Sequence, residues 1–344
     1  MPKLGSSIRF EDLNGLKHAL LARGEESHPL LDARLAFSKI EGRARYARML
    51  AKEERVYPLM LPTQASGRWS TSGPPLVNFP PTMDCLICPD PGSFWIKWDW
   101  DAIEAKVLAA LSDDVTDLEA FAKGWDVHTM TTCFLLRHAL PPNLANPHTS
   151  PECEEWRQSW VPVWETDKDE NRRRHAAKII RYNLAYSFDT SGRAVLAADG
   201  IEDLGLDTDT LISLARRYLT EKKALLAYKR QHGERFARTA VARTIWGHRR
   251  RLYGDDNTRK KEGLNHEIQG CVADMMNQVI ISIDREFPDS RLILNKHDAL
   301  ITEFSERDHE KTLAGLRPLV EREWVIGRNQ IHSTASWKVL EAVA

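Results

Sequence analysis

Residues 94–104, FWIKWDWDAIE, and residues 292–301, LILNKHDALI, each carry an aspartate directly after a run rich in apolar side chains. The runs predict strands, and the carboxylates of Asp99 and Asp298 fall at the strand ends. Two aspartates on adjacent strand ends can share a pair of divalent metal ions, an arrangement that performs phosphoryl and nucleotidyl transfer. The alternative is that each is solvated surface, because the chain has 49 acidic residues.

The composition is that of an ordinary globular protein, with 42% hydrophobic and 28% charged residues. A length of 344 residues favours two or three subdomains. The formal net charge of −1 means that any nucleic-acid-binding surface has to be local. Five cysteines without a dense framework favour a reducing cytoplasm. The chain shows neither a signal peptide nor an apolar run of membrane-spanning length, so we expect a cytoplasmic protein without a membrane partner.

Hydrophobic periodicity predicts that helices separate two strand-bearing regions. The first part should have a helix over 11–61, an extended segment over 67–81, a strand over 94–100 and a helix from 103. A long loop over 139–166 and helical segments over 169–198 and 207–245 should follow. The last part should have a long helix after Gly263 and a hairpin at His297–Asp298. The regions 62–112 and 265–344 should then form one discontinuous domain with a helical insertion, which is the α+β class.

Two basic clusters are candidates for binding phosphate. Arg174, Lys178 and Arg181 are spaced i, i+4, i+7 and share one helix face, which suits a triphosphate clamp. A solvated surface is the equally weighted alternative. A second run of cations extends from Arg243 to Lys261 around Trp246, and it suits a strand–turn segment lying along a phosphate backbone.

Several separate blocks of the sequence resemble, in the same order, those of the family A DNA polymerases, the group that contains bacterial DNA polymerase I. The resemblance runs from about residue 28 to the C-terminus. The blocks are residues 67–71 (GRWST), 76–80 (LVNFP), 99–114 (DWDAIEAKVLAALSDD), 126–128 (DVH), 174–186, 247–253, 265–274, 297–298 (HD) and 336–337 (SW).

This resemblance implies a right-hand polymerase fold. The antiparallel-sheet palm would comprise 62–112 and 265–344, the helical fingers 113–264 with an insertion near 133–170, and a reduced helical thumb 1–61. The implied function is that of a template-directed DNA polymerase that adds deoxynucleotides to a primer 3′-end. Its partners would be primer–template DNA and deoxynucleoside triphosphates.

The resemblance also implies the catalytic groups. Asp99, Asp298 and the backbone carbonyl of Trp100 would hold two Mg²⁺ ions, with Mn²⁺ as a substitute. Lys178 would protonate the leaving pyrophosphate. Glu104 would act as a sugar gate that excludes a 2′-hydroxyl. The full set of implied nucleotide-binding residues is Glu104, His128, Arg174, Lys178, Tyr182 and Tyr186.

Tyr182 is an expected determinant of sugar specificity, because most bacterial members of the family carry Phe at this position. Its hydroxyl can replace the hydrogen bond normally given by the substrate 3′-hydroxyl, so we expect weak discrimination against dideoxynucleotides. The DNA-binding residues that the resemblance implies read geometry through minor-groove acceptors or contact the backbone. They are Arg68, Asn78, Lys261, Asn265, Gln269 and His297.

The sequence departs from the family pattern at a few positions. Ala299 stands where the family usually has Glu, so we expect reduced rather than absent activity. Asn183 and Ser187 replace glycines of the nucleotide helix. Residues 1–61 leave no room for a 3′–5′ exonuclease or a 5′ nuclease, and a separate thumb, exonuclease or processivity protein is an expected partner.

Three alternatives stay open. One is a partner-dependent or non-catalytic DNA-binding subunit, and another is an RNA polymerase relative, which Glu104 disfavours. The Cys85-x2-Cys88 spacing permits zinc binding, although a single pair is a weak signal. The expected location is the cytoplasm of a bacterial or phage-infected cell.

Overall fold

The computed structural model describes residues 28–52, 55–72, 76–78, 87–135, 166–198, 200–305 and 309–341, together with Leu16 and Leu20. The α-helices of this part of the chain are α1 (Pro29–Leu50), α2 (Ile103–Ser112), α3 (Val115–Ala122), α4 (Val127–Leu135), α5 (Lys168–Tyr186), α6 (Thr208–Glu221), α7 (Lys223–Thr239), α8 (Asp256–Glu286) and α9 (His309–Val320). The strands are β1 (Leu59–Leu61), β2 (Ser70–Ser72), β3 (Ser93–Trp100), β4 (Val241–Arg243), β5 (Arg249–Arg251), β6 (Arg291–Lys296), β7 (Ala299–Ser305), β8 (Glu323–Ile326), β9 (Asn329–His332) and β10 (Ala335–Glu341).

The chain divides into two compact units, which we describe separately. The helical unit consists of residues 1–54 and 128–221, and the sheet unit of residues 55–127 and 222–344. Every strand that the structure describes belongs to the sheet unit. The expected α+β class is confirmed, since helices and antiparallel sheets occur together.

The sheet unit contains a four-stranded antiparallel sheet with the strand order β10–β3–β7–β6. β3 therefore has a hydrogen-bonded neighbour on each side. Its even-numbered side chains are almost completely buried: Phe94, Ile96, Trp98 and Trp100. The side chain of Asp99 points to the other face and is exposed. The predicted strand over 94–100 and the helix that follows it are both confirmed.

The long helix α8 packs along α7 in the same unit. The helix was expected after Gly263 but begins earlier, at Asp256, where the Asp255 side chain accepts the N–H of Thr258. At Gly263, an added Cβ would lie 2.4 Å from Cγ of Phe236, whose side chain is fully buried. The two helices therefore approach more closely at this point than a larger residue permits.

A buried ion cluster fixes the start of α7. Nζ of Lys222 lies 3.0 Å from Oδ2 of Asp114 and 2.6 Å from Oδ1 of Asp117, and all three side chains are less than a tenth exposed. Asp114 is also the N-cap of α3. The cluster joins the end of the 55–127 segment to the beginning of the 222–344 segment.

The helical unit contains α1, α5 and α6, together with α4 from His128 onward. α5 begins after Asp167, whose side chain accepts the N–H groups of Asp169 and Glu170. Arg181 of α5 is buried and donates to the Tyr218 hydroxyl, 3.0 Å away on α6, and to Thr131 Oγ1, 3.3 Å away on α4. This guanidinium therefore holds three helices of the unit together.

Several predicted elements were wrong at their ends, as α8 was at its start, and α5 ends at Tyr186 inside the helical segment expected over 169–198. The expected helix over 11–61 ends at Leu50, and residues 59–61 form β1, which pairs with β2 inside the segment expected to be irregular. Pro58 and Pro62 explain the change, because proline cannot continue a helix and favours an extended residue before it. The helical segment expected over 207–245 likewise ends at Thr239, and β4 follows.

The predicted loop over 139–166 and the insertion near 133–170 lie largely outside the described residues, between the end of α4 and the start of α5. Within the described part of the chain, no helix has the combined length and apolar character that spanning a membrane requires.

Replacing Gly263 with Ala should destabilise the protein by about 1–3 kcal/mol, because the new methyl group overpacks the contact with Phe236. Gly42→Ala is the matched control, since it also changes a helical glycine but nothing lies within 4 Å of the added Cβ. The control should gain up to about 1 kcal/mol from helix propensity. Urea unfolding followed by circular dichroism measures both; shifts of the same sign would contradict the packing argument.

Candidate active site

A two-residue hairpin loop carries one of the candidate aspartates. His297 and Asp298 connect β6 to β7, and the neighbouring residues Lys296 and Ala299 are cross-strand partners. His297 adopts the left-handed region with φ 63°, which is uncommon for residues other than glycine, although histidine adopts it more often than most. The predicted hairpin at this position is confirmed. The turn holds Asp298 at the edge where β7 begins.

The sheet brings the two candidate aspartates to one place. Asp99 of β3 pairs in register with Ala299, the residue directly after Asp298. The N–H of Trp100 donates to the main-chain oxygen of Asp298 at 3.1 Å. Burial raises the pKa of the Asp298 carboxyl, because desolvation disfavours its charged form. The predicted juxtaposition of the two strand ends is therefore present.

The donor set at these strand ends fits magnesium. No group of three or more His, Cys, Asp or Glu side chains suited to a metal ion is present in the described residues. Mg²⁺ does not require such a group, because it keeps several waters and is usually bound by one or two carboxylates together with substrate phosphates. Asp99, Asp298 and the Trp100 carbonyl offer hard oxygen ligands of this kind. A cation would also offset the cost of the buried Asp298 charge.

Glu104, the candidate sugar gate, lies in the first turn of α2 and forms an ion pair with Arg68. The Nη2 group of Arg68 donates to Oε1 of Glu104, and the two side chains are only 11% and 15% exposed. The Nε atom of Arg68 is buried and has no acceptor within the described residues. The sequence indicated both residues but not their contact.

The candidate nucleotide-binding residues of the helical unit lie on α5 and α4. Arg174, Lys178, Tyr182 and Tyr186 recur every four residues along α5 and are all partly buried. The Tyr182 and Tyr186 rings stack with centroids 6.4 Å apart. The ring of His128, a buried residue of α4, lies 5.7 Å from that of Tyr182. The structure thus brings these five residues into one row.

Arg181 does not share the exposed face that its spacing indicated. The i, i+4, i+7 pattern placed it beside Arg174 and Lys178, but its guanidinium is buried against Thr131 and Tyr218. Its place in the expected triphosphate clamp is therefore wrong. The sequence could not reveal this, because the burial comes from helices distant along the chain.

The second basic cluster forms a hairpin and the start of α8. Arg243 of β4 and Arg249 of β5 are exposed cross-strand partners. Like charges directly opposite one another destabilise a sheet unless an anion lies near them. The predicted strand–turn segment is confirmed by this hairpin. On α8, the expected DNA-binding residues are exposed or partly buried at four-residue spacing: Lys261, Asn265 and Gln269.

Asn78 lies at the end of a short 3-10 turn over Leu76–Asn78 of the sheet unit. Cys88 is exposed and has a free thiol, whereas Cys85 lies outside the described residues, so the zinc alternative stays untested. The roles assigned to the individual site residues also stay predictions.

Sequence reasoning missed Lys106 of α2. Its buried ammonium donates to Thr334 Oγ1 at 2.9 Å and to the His332 carbonyl at 3.1 Å. Burial lowers the pKa of the Lys106 ammonium. Lys106 therefore fastens α2 to the segment that leads into β10, the strand paired with β3. A lysine within an apolar helix face was the available signal, but its acceptors follow 226 and 228 residues later.

Comparison with known proteins gives several consistent relatives. DNA polymerase I of Pseudomonas aeruginosa is 25% identical over 276 residues, which are 74% of this chain and 26% of that protein. DNA polymerase I of Chloroflexus aurantiacus is 27% identical over 283 residues, 74% of this chain and 25% of that protein. The thermostable DNA polymerase I of Thermus thermophilus is 24% identical over 329 residues, 89% of this chain and 36% of that protein. The chain thus spans between about a quarter and a third of the length of these relatives.

A solved structure shares the fold. The POL domain of Pol1 from M. smegmatis, in complex with DNA primer-template and dNTP, superposes with a TM-score of 0.70. The match covers 98% of this chain and 57% of that chain at 21% sequence identity. The family model described as DNA polymerase family A matches residues 157–337, more than half of the sequence. The chain belongs to DNA polymerase family A.

Proposed function

We propose that this chain is a template-directed DNA polymerase that adds deoxynucleotides to a primer 3′-end by two-metal nucleotidyl transfer. The observation that carries the proposal is the pairing of the two strand ends, where the Trp100 N–H reaches the main-chain oxygen of Asp298 at 3.1 Å. Membership of family A supports it, as do relatives named DNA polymerase I.

In this proposal the regions have the roles of a right-hand polymerase. Residues 62–112 and 265–344 are the palm, 113–264 the fingers, and 1–61 a reduced thumb. The four-stranded antiparallel sheet supports the palm assignment, because both aspartates lie at the same end of its neighbouring strands β3 and β7. A separate exonuclease, thumb or processivity protein is a further proposed partner.

Asp99, Asp298 and the Trp100 carbonyl are the proposed ligands of two Mg²⁺ ions, for which Mn²⁺ is a substitute. When bound, these ions would activate the primer 3′-hydroxyl and stabilise the leaving pyrophosphate. The carboxylates of the chain hold the charge that attracts them. The short hairpin loop supports this role, because it leaves Asp298 little freedom to move away from β3.

The nucleotide is proposed to bind through the row of residues on α5. Arg174 and Lys178 bind phosphate oxygens together with His128, and Lys178 donates a proton to the leaving pyrophosphate. Tyr182 and Tyr186 contact the base and sugar, and the stacked arrangement of their rings supports this role. Glu104 excludes the 2′-hydroxyl of ribonucleotides.

DNA is proposed to bind along the sheet unit. Arg68, Gln269 and His297 contact the minor groove, and Asn78, Lys261 and Asn265 contact the strands. The exposed Arg243–Arg249 pair adds a phosphate contact, because an anion between two opposed guanidinium groups removes their repulsion.

A second candidate function is a non-catalytic or partner-dependent DNA-binding subunit. Ala299 favours it, because a buried methyl group stands opposite Asp99 where the family usually has a carboxylate. Primer extension separates the two, since binding of primer–template without extension supports the second candidate.

Asp99→Asn and Asp298→Asn should each reduce primer extension with Mg²⁺ and four deoxynucleotides by on the order of a thousandfold, because a metal ligand supplies several kcal/mol of transition-state stabilisation. Asp101→Asn is the matched control, since it removes an exposed carboxylate two residues from Asp99. The control should retain activity within about threefold of the unaltered protein, because surface changes are usually small. Equal losses in all three variants would overturn the assignment.

Tyr182→Phe should increase discrimination against dideoxynucleotides by about tenfold, because it removes a hydroxyl that replaces one hydrogen bond of the substrate 3′-hydroxyl. The measurement is the ratio of kcat/KM for a deoxynucleotide to that for its dideoxy analogue. Extension with deoxynucleotides is the internal control for an active protein. Equal chain termination by the original protein and the variant would show that the hydroxyl has no such role.

Arg243→Gln and Arg249→Gln together should weaken primer–template binding and lower the slope of log Kd against log salt by about one to two units, because fewer counterions are released. Arg285→Gln is the control, since this exposed residue lies in the last turn of α8, far along the helix from Lys261. Fluorescence anisotropy at several salt concentrations measures the slope. An unchanged slope in the double variant would remove the hairpin from the binding surface.

A further inference from the structure

The pair formed by Arg68 and Glu104 is more than a surface contact. Both side chains are largely withdrawn from water, and the guanidinium donates to one of the two carboxylate oxygens. Charges in such surroundings interact more strongly than exposed ones, and separating them removes the charge-assisted hydrogen bond from a largely buried carboxylate. The ion pair is therefore one restraint on the orientation of the Glu104 side chain.

The chain reaches Arg68 through a turn that requires glycine. The N–H of Gly67 donates to the Gln64 carbonyl at 2.8 Å, and the Gln64 N–H donates to the Arg68 carbonyl at 3.2 Å. Gly67 has φ +84°, and a Cβ on it would lie 2.3 Å from Cε1 of His248. Both the backbone conformation and the close approach of the imidazole exclude larger residues. The backbone turn therefore fixes the position of Arg68 independently of the contacts of its side chain.

A second anchor follows Arg68 directly. The indole Nε1–H of Trp69 donates to Oδ1 of Asn277 on α8 at 2.8 Å. The Gln64 side chain donates to the Trp69 carbonyl at 3.2 Å. Arg68 therefore lies between a glycine turn and an indole that is tied to the longest described helix. This arrangement directs one guanidinium to one carboxylate, which is what a positioning role needs.

We propose that Arg68 is the positioning residue of the sugar gate, and that its ion pair with Glu104 makes the site reject ribonucleotides. This inference rests on the proposed polymerase function. A 2′-hydroxyl has to displace the Glu104 carboxylate, and it can do so only by breaking a charge-assisted hydrogen bond in surroundings that exclude water. Without Arg68, the carboxylate rotates aside and the ribose enters. Arg68 thereby determines specificity through Glu104 and not by contact with the sugar.

The test uses the ratio of kcat/KM for a deoxynucleotide to kcat/KM for the matching ribonucleotide. Arg68→Met keeps the aliphatic volume and removes the charge, and it should lower the ratio about ten- to a hundredfold, the effect of losing one hydrogen bond to a charged group. The change should come mainly from a lower KM for the ribonucleotide. Arg68→Lys keeps the charge and should restore part of the ratio. If Arg68→Met rejects ribonucleotides as strongly as the original protein does, the proposal is overturned.

A double-mutant cycle separates this role from a general loss of structure. If Arg68 acts through Glu104, then Arg68→Met should change the ratio about tenfold or more in the original protein and leave it unchanged in the Glu104→Ala background. Equal effects of Arg68→Met in both backgrounds overturn the proposal, because Arg68 would then act independently of the gate.

Trp69→Phe supplies a variant that leaves both members of the ion pair in place. It removes the indole N–H that donates to Asn277. A lower ratio of kcat/KM for the deoxynucleotide to kcat/KM for the ribonucleotide, with retained deoxynucleotide extension, supports the positioning role. An unchanged ratio in both Trp69→Phe and Arg68→Met overturns it. Failure of the proposed function is distinguishable, because the original protein would then not extend a primer with deoxynucleotides at all.

Discussion

The pairing of β3 with both β7 and β10 is the constraint on which the rest of the sheet unit depends. The register is supported by the pattern along β3, where the even-numbered side chains are almost completely buried and that of Asp99, on the other face, is exposed. If the pairing of β3 slipped by one residue, Trp98 and Trp100 would move to the other face of the sheet and the Asp99 carboxylate would move to the buried face. The apolar surface of the strand therefore determines where the acid lies, although it takes no part in the chemistry.

Two further contacts hold this register at the end where the candidate site lies. The short loop at His297 and Asp298 leaves β7 little freedom to slide along β6. Lys106 fastens α2 to the segment before β10, and the Asp101 N–H donates to the Thr334 carbonyl at 2.9 Å. Each neighbour of β3 is thus tied to the rest of the unit close to Asp99.

The sequence predicted the elements whose signals are local. The strand that carries Asp99, the helix after it and the hairpin at Asp298 all follow from patterns within a few residues. The three-residue strand β1 was missed because it exists only through its pairing with β2. A strand that short has no periodicity of its own.

Long-range burial explains the other differences. Arg181 has the spacing of a phosphate ligand, but Tyr218 and Thr131 enclose it. The carboxylate of Glu267 on α8 is buried, and it accepts from the Tyr228 hydroxyl at 2.7 Å and from Arg235, both on α7. Nothing in the local sequence distinguishes these charges from exposed ones. The residues that enclose them are placed together only by the packing of whole helices.

The row of residues across the sheet gives a physical reason for the effect expected of Ala299. Ser336, Asp99, Ala299 and Lys296 are successive cross-strand partners, so their side chains share one face. Asp99 and Lys296 are two strands apart, about 10 Å between backbones, and only a methyl group stands between them. A glutamate in place of Ala299 would add a second negative charge beside Asp99 and would screen it from Lys296. With alanine, the proposed metal site has less negative charge, and the ammonium of Lys296 belongs to a side chain on the same face. Both would weaken the attraction of the site for divalent cations. In the proposed mechanism the two remaining carboxylates still supply oxygen ligands, so we expect the substitution to lower affinity for the ions without removing their ligands.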